Sequence, residues 1–244
     1  MNEREGEKCI TLGFHTIEFL LWGQDFNADG PGERPVTDYV LEGSKDPLVV
    51  KRRRSYLTIT VELLVEHLAR VVAAWAPDEA YNYRARFLGL PTADSLALIL
   101  RGAGSLAGPE LSGERLTVAY ETRLQEDEHS CFSDNTHNDF RYDTLGLQNV
   151  FLGRYQRPSG DILKGPGILD LLLAEDAETA LMLSDRVAAA VAAGRQMPRP
   201  FDQAILADDD SETRVALKRA IEAFHELSRG IAEAGHKLGL KLRF

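Results

Sequence analysis

The chain has 244 residues, of which 44% are hydrophobic and 27% are charged, as expected of a folded globular protein. Its 38 acidic and 28 basic residues give a formal net charge of −10, and a surface of that sign repels phosphate backbones, so we expect no nucleic-acid partner. No apolar run approaches the roughly 18–20 residues that span a bilayer. Residues 1–5 are polar, so we also expect no signal peptide and no transmembrane segment in this chain.

Residues 9–22 predict the first helix. Its apolar side chains, such as Phe14 and Phe19, surround nearly the whole circumference, which is typical of a buried helix. His15 and Glu18 lie within it, three residues apart and therefore on one stripe. Burial of this pair is costly without compensation, and three interpretations stay open. The two side chains form a hydrogen bond in a bundle, or bind one metal ion, or act together in acid–base catalysis.

Residues 23–43 and 124–138 predict two loops, both longer than the roughly 2–8 residues that usually join helices. The second loop and the start of the next helix gather polar side chains that can bind metal or line a site: Ser133, Asp134, His137 and Asp139. These side chains either cap the helix that starts near residue 139 or line the same site as the first helix. We keep both interpretations.

The dipeptide Asp46-Pro47 predicts the start of a long helix that ends before Pro77. Its apolar residues recur at steps of four and three and form one face, consisting of Leu57, Val61, Leu64, Leu68, Val71 and Trp75. The basic run near its start is typical of a solvated helix, whereas Arg54 could instead turn inward and pair with a carboxylate of the site.

A second long helix is predicted from Ser211, with Leu217, Phe224 and Ile231 facing inward. Further helices are predicted between the two long ones, over residues 93–101, 114–123, 139–155, 168–173 and 175–195. The glycine-rich stretch 102–108 predicts a break between helices, and no segment shows the alternation of a strand. The fold class is therefore all-α, built from helical bundles.

A weak internal repeat aligns residues 12–20 with residues 145–153 and predicts two related helical-bundle units. We place the first unit at residues 1–90 and the second at residues 91–244. Helices that precede the repeat in the second unit have no counterpart in the first, so the first unit is expected to be the C-terminal part of a bundle. Its uncovered apolar surface would then promote self-association.

Two long motifs resemble those of the imelysin family. The stretch 13–25 contains Gly-x-His-x-x-Glu, and residues 130–139 with the following 146–155 are similar to the branch called iron-regulated protein A. The resemblance implies two α-helical bundle domains in a bacterial periplasmic or surface protein, often a lipoprotein, that takes part in iron acquisition. It also implies a metal ion, iron or zinc, at His15 and Glu18. Members of the family usually have a signal segment and about a hundred residues before the motif.

Two functions follow from the resemblance. One is metal binding without turnover, with an iron-transport system as partner, and the other is a metallopeptidase acting on a peptide. The usual zinc-peptidase pattern has two histidines four residues apart, and His225-Glu226 is not followed by a second histidine. The sequence therefore favours binding over hydrolysis.

Cys9 and Cys131 are the two cysteines of the chain. They either form one disulfide, which oxidising conditions outside the cytoplasm would preserve, or remain two buried thiols.

Overall fold

A computed structural model describes residues 11–28 and 30–244, and it is built almost entirely from helices, which confirms the all-α prediction. The α-helices are α1 (Phe14–Trp22), α2 (Pro47–Trp75), α3 (Tyr83–Leu88), α4 (Thr92–Ser105), α5 (Val118–Thr122), α6 (Thr136–Leu152), α7 (Ile168–Glu175), α8 (Ala177–Arg195), α9 (Phe201–Leu206) and α10 (Glu212–Lys237). A π-helical segment covers Leu106–Thr117, and two short strands are β1 (Arg154–Gln156) and β2 (Ile162–Lys164). None of the helices in the described part of the chain is long and apolar enough to cross a membrane.

The chain divides into two compact units. Unit 1 comprises Met1–Leu90 together with Phe132–Asp134, and unit 2 comprises Pro91–Cys131 and Asn135–Phe244. Unit 1 therefore includes three residues of the second predicted loop. That unit 1 is the C-terminal part of a larger bundle, and that the units arose by duplication, stay predictions.

Helix α2 forms the framework of unit 1 and begins and ends where the sequence predicts. The Asp46 side chain accepts a hydrogen bond from the Val49 backbone N–H, and Pro47 occupies the first helical position, where its missing N–H costs nothing. Helix α1 and a 3₁₀ turn at Val36–Tyr39 pack against α2 and bury Val50 and Thr60.

The prediction of a buried first helix is wrong in two respects. Within the described residues α1 begins at Phe14, after Gly13, whose positive φ of 97° interrupts helical backbone. Its buried residues are Thr16, Glu18 and Leu20, whereas Phe14 is 66% exposed. The rest of unit 1 covers Thr16 and Leu20 on one side of this short helix and Glu18 on the other, and leaves Phe14 exposed.

Only Val50 and Thr60 of α2 are buried within the described structure, and the second half of the helix is the less covered half. Val65, Leu68 and Val72 are between 47% and 71% exposed. At the end of the helix, Trp75 packs against Tyr83 and Phe87 of α3, with ring centroids 5.1 and 5.6 Å away.

The core of unit 2 lies between α4, the π-helical segment, α6, α8 and α10. Phe140 stacks on both Phe201 and Phe224, at centroid distances of 6.0 and 5.8 Å. Helix α10 carries Leu217, Phe224 and Ile231 into this core and is capped by the Ser211 side chain, as predicted.

The predicted break at residues 102–108 is wrong, because α4 continues into the π-helical segment. A π-helix bonds each N–H to the carbonyl five residues earlier, and Pro109 has no N–H to give to Gly104. The Ser228 hydroxyl of α10 donates to the Gly104 carbonyl instead, at 3.0 Å. A side chain at Gly108 would lie 2.4 Å from the Ser228 oxygen, so this glycine permits the close approach of α10.

A short antiparallel hairpin replaces the end of the helix predicted to reach residue 155. Helix α6 ends at Leu152 and is followed by Gly153, whose φ of 58° favours glycine. Strand β1 then pairs with β2 in the register Tyr155–Leu163. The strands have three residues each and all six side chains are exposed, so no alternation marks them in the sequence.

Candidate functional site

The predicted pair on α1 meets directly. His15 Nδ1 lies 2.9 Å from Glu18 Oε2. The Glu18 side chain is 10% exposed and the His15 side chain 34% exposed. The spacing of three residues places both on one stripe of the helix, as the sequence predicts.

Glu18 is also bound by a residue of the second loop. The backbone N–H and the hydroxyl of Ser133 both donate to Glu18 Oε1, at 2.9 and 2.7 Å. Ser133 is held in place by its neighbour, because the Phe132 carbonyl accepts from Gly32 N–H at 3.0 Å and the Phe132 ring packs edge-on against Phe19 at 5.0 Å. The interpretation that this loop lines the site on α1 therefore has a direct contact in support.

These contacts define the chemistry of the pair. Hydrogen bonds from His15 and Ser133 to both oxygens of Glu18 offset the cost of burying the carboxylate, so burial alone does not require a metal. A carboxylate only accepts, so His15 Nδ1 carries the proton and Nε2 carries the lone pair when the ring is neutral. Histidines that bind metals are commonly oriented in this way, with one ring nitrogen on a carboxylate.

The other residues predicted for the loop divide between the two units. Asp134 belongs to unit 1, where it is buried and has a φ of 51°. His137 and Asp139 lie on the first turn of α6 in unit 2. Asp139 accepts hydrogen bonds from His129 Nδ1 at 2.8 Å and from the Ser130 hydroxyl at 2.5 Å. The start of α6 has no side-chain capping hydrogen bond, so the capping interpretation is not supported; Asp139 adds only a negative charge, which is favourable at this end of a helix.

His129 is a residue that the sequence reasoning missed. It forms with Asp139 and Ser130 a second histidine–carboxylate–serine group, and no sequence spacing comparable to His-x-x-Glu marks it. One turn further along α6, burial raises the pKa of Asp143, and the nearby His129 partly opposes this shift. The carboxylates of Asp139 and Glu110 also raise the pKa of Asp143, as burial does.

The structure brings Arg53, rather than Arg54, to a carboxylate. Arg53 Nη1 donates to the Asp38 backbone carbonyl at 2.9 Å and lies 3.1 Å from Asp38 Oδ2, which also pairs with Arg34 at 3.0 Å. Arg54 is exposed on α2 and forms no ion pair within the described residues. The two arginines and Asp38 fix the first predicted loop, and beside them burial raises the pKa of Tyr39, against the effect of Arg34 and Arg53.

A cavity of about 510 Å³ lies next to this loop in unit 1. Its walls include Phe19 and Trp22 from α1 and Phe26, Arg34 and Asp38 from the loop. Phe19 faces this cavity from the position directly after Glu18.

The remaining predictions for the site concern the cysteines and the ligand set. Cys131 is half-buried, and Cys9 lies outside the described residues, so the disulfide stays a prediction. Among residues 11–28 and 30–244, no three His, Cys, Asp or Glu side chains are grouped as a metal site would require.

Comparison with known proteins identifies the family. The sequence matches the family described as Imelysin (Peptidase M75) over residues 2–231, which is nearly the whole chain. The chain belongs to the imelysin family. Glu18 and His15 thus lie in a protein of the family that the two sequence motifs predicted. A search of curated proteins finds no matching relative.

A solved structure has the same fold. It is the crystal structure of a protein named as an iron-regulated protein A precursor from Parabacteroides distasonis, with a TM-score of 0.66 and 15% identity. The similarity covers 93% of this imelysin-family chain and 63% of that protein, so the chain spans less than two thirds of its length. At this identity the likeness concerns the fold.

Proposed function

We propose that this imelysin-family protein binds a metal ion, preferably iron, through His15. We also propose that it takes part in iron acquisition outside the cytoplasm. The observation that carries the proposal is the contact of His15 Nδ1 with the buried carboxylate of Glu18. It orients a partly exposed imidazole so that Nε2 presents its lone pair, as in known metal sites.

Each residue of the group has a distinct role in the proposal. His15 supplies the nitrogen ligand, and Glu18 orients the ring and stabilises the positive charge that a bound metal brings. Ser133 holds Glu18 through two hydrogen bonds to Oε1. Glu18 joins the ligand set itself only if the metal displaces the contact between His15 and Oε2.

The described residues supply few ligands, which suits a metal that is carried rather than retained. With no group of three ligating side chains in the described ranges, water or an organic chelator completes the coordination sphere in this proposal. Iron is then the cargo of the protein.

The location and role rest on similarity. The solved structure of the same fold is named as an iron-regulated protein A precursor, and the word precursor is used for proteins that are processed. We propose the same for this chain: processing and export to the periplasm or cell surface, regulation by iron, and an iron-transport system as partner.

Isothermal titration with ferrous, ferric-chelate and zinc ions tests the proposal. We expect binding to the unaltered protein, loss of binding in His15→Ala, and weakened binding in Glu18→Gln, which keeps the size of the side chain but removes its charge. His67→Ala is the matched control, because His67 is an exposed histidine of the same unit. Equal affinity of the His15→Ala protein and the unaltered protein would contradict the proposal.

A metallopeptidase is the alternative that the family description raises. Such an enzyme needs a metal with an open position and a general base. Glu18 accepts three hydrogen bonds, which makes it a better orienting group than a base. We infer binding without turnover, and the metal-loaded protein should not degrade unfolded casein. Degradation that disappears in His15→Ala would establish the peptidase instead.

A further inference from the structure

A cavity of about 690 Å³ lies in unit 2, where the π-helical segment and α10 pack together. Gly108, Pro109 and Gly113 of the π-helical segment form one wall, and Ile221 and Ala232 of α10 belong to the other. The first wall has no long side chain, which leaves the space open. Cavities of roughly 300–1,000 Å³ with mainly apolar walls are typical of sites that bind small organic molecules.

Hydrogen bonds between the two walls hold this cavity in shape. The Ser112 hydroxyl of the π-helical segment donates to the Ile221 carbonyl at 3.0 Å. In the opposite direction, the Ser228 hydroxyl of α10 donates to the Gly104 carbonyl at the end of α4, also at 3.0 Å. A π-helical stretch within a longer helix is frequently found at a functional site. Because the walls are already fixed, a ligand would bind without the cost of reordering them.

The hydroxyl groups in the walls can only accept further hydrogen bonds. The hydrogens of Ser112 and Ser228 are committed to the two carbonyls, and the Thr117 hydroxyl donates to the Ser112 carbonyl at 2.6 Å. A hydroxyl has one hydrogen and two lone pairs, so each of these groups offers a ligand its oxygen. His225, which also lines the cavity, can donate or accept. The walls therefore suit a ligand that donates N–H groups.

The rim of the cavity carries a carboxylate with no ion-pair partner in the described part of the chain. This carboxylate belongs to Glu222, which is exposed. Glu226 also lines the cavity, but it pairs with Arg229 at 2.8 Å and with Arg186 at 3.4 Å. Arg186 pairs in turn with Glu233 at 3.0 Å, so the charges of this ion-pair network cancel. The charge of Glu222 is not cancelled in this way, and it attracts a cation.

We propose that this cavity binds an organic cation, namely a primary amine carried on an apolar or aromatic body. The ammonium group binds at Glu222 and donates to the acceptors of the walls. The apolar body contacts Pro109, Ile221 and the ring of Phe244, which all line the cavity. A negatively charged ligand would instead meet Glu222 and hydroxyl groups that have no hydrogen left to donate.

A further helix of a bundle would be a poor occupant of this cavity. Glu222, His225 and Arg229 line it and are exposed. A packed helix would remove these ionisable side chains from water, which is costly unless each of them gains a partner. A small ligand covers the apolar walls and leaves the rim in water. The charged rim therefore favours a small molecule over a segment of protein.

Titration with three phenyl compounds of similar size, followed by the amide signals in nuclear magnetic resonance, tests the class of ligand. Phenethylamine carries a positive charge, 2-phenylethanol is neutral and 3-phenylpropionate is negative. We expect the amine to bind most tightly and the propionate most weakly. Glu222→Gln should weaken binding of the amine roughly fivefold, the most that an exposed ion pair contributes, and leave binding of the alcohol unchanged. Glu212→Gln is the matched control, because Glu212 is an exposed glutamate of α10 that does not line the cavity.

The place of binding is tested in the same titration. The amide signals that move on addition of the amine should belong to the π-helical segment and α10. Ala232→Phe should remove binding of the amine and of the alcohol, because the added ring fills part of the cavity, and its melting temperature reports whether the fold is retained. The proposal would be overturned if the amine did not bind the unaltered protein, if the three compounds bound equally, or if the signals that move belonged to other helices. Amine binding that is unchanged in a folded Ala232→Phe protein would overturn it as well.

Discussion

Replacement of Ser133 by alanine tests how the buried carboxylate of Glu18 is compensated. The change removes the hydroxyl donor at 2.7 Å and leaves the backbone N–H of the same residue in place. Hydrogen bonds to charged groups contribute about 1.5–3 kcal/mol, and the Glu18 side chain is 10% exposed, so little water replaces the lost donor. We therefore expect unit 1 to lose about 2 kcal/mol of stability.

Tryptophan fluorescence measures this loss in unit 1 alone. The two tryptophans of the chain are Trp22 and Trp75, and both belong to unit 1. With a dependence on urea of about 2 kcal/mol per molar, the midpoint of the fluorescence transition should fall by roughly 1 M in Ser133→Ala. Ser133→Thr keeps the hydroxyl and should restore most of the midpoint.

A Ser133→Ala midpoint equal to that of the unaltered protein would show that the Ser133 hydroxyl does not stabilise Glu18. A midpoint of Ser133→Thr as low as that of Ser133→Ala would contradict the same role, because the hydroxyl alone would then not restore stability.

Three further predictions concern unit 2. Burial raises the pKa of Asp143 in the folded state above its ordinary value of 3.8, so the folded state binds the Asp143 proton more tightly than the unfolded chain does. The stability of unit 2 therefore falls as the pH rises from 3.8 through the raised pKa. Asp143→Asn should therefore raise the melting temperature at neutral pH and leave it unchanged below pH 3.8. An equal rise in melting temperature at the two pH values would refute this prediction. Ser228→Ala leaves the Gly104 carbonyl without its hydroxyl donor and should lower the free energy of unfolding by about 1–3 kcal/mol. A urea titration followed by circular dichroism measures this loss. An unchanged free energy of unfolding would contradict the role of Ser228 at the π-helical segment. Gly108→Ala should also destabilise unit 2 in the same titration, because its methyl group would lie 2.4 Å from the Ser228 oxygen, and full stability would show that α10 moves away freely.

Much of the fold follows from local signals in the sequence. Helices α2 and α10 begin at residues with capping side chains, Asp46 and Ser211, and their apolar spacing is regular over many turns. Such signals do not depend on the rest of the chain. The short strands at residues 154–156 and 162–164 have no such signal, because three exposed residues show no period.

Other features depend on tertiary contacts that spacing does not encode. Glycines predicted a break after residue 101, whereas Gly104 and Gly108 allow close packing within a continuous helical stretch. The burial of α1 was predicted from its composition, but which face is buried depends on the neighbours in unit 1, and these cover Thr16 and Glu18 rather than Phe14.

The candidate site, too, follows only in part from sequence spacing. The pair of His15 and Glu18 follows from a spacing of three in one helix. The partner Ser133 is 115 residues from Glu18 in the sequence, and only its place in a long polar loop suggested a role. His129 had no spacing signal, because its carboxylate partner is ten residues away across a loop.

X-ray absorption at the metal edge of the iron- or zinc-loaded protein tests the central claim most directly, because it detects imidazole scattering from the ligands themselves. The account predicts one histidine ligand in the unaltered protein and in the His67→Ala control, and none in His15→Ala. An unchanged imidazole signal in His15→Ala would contradict the assignment of His15 as the ligand.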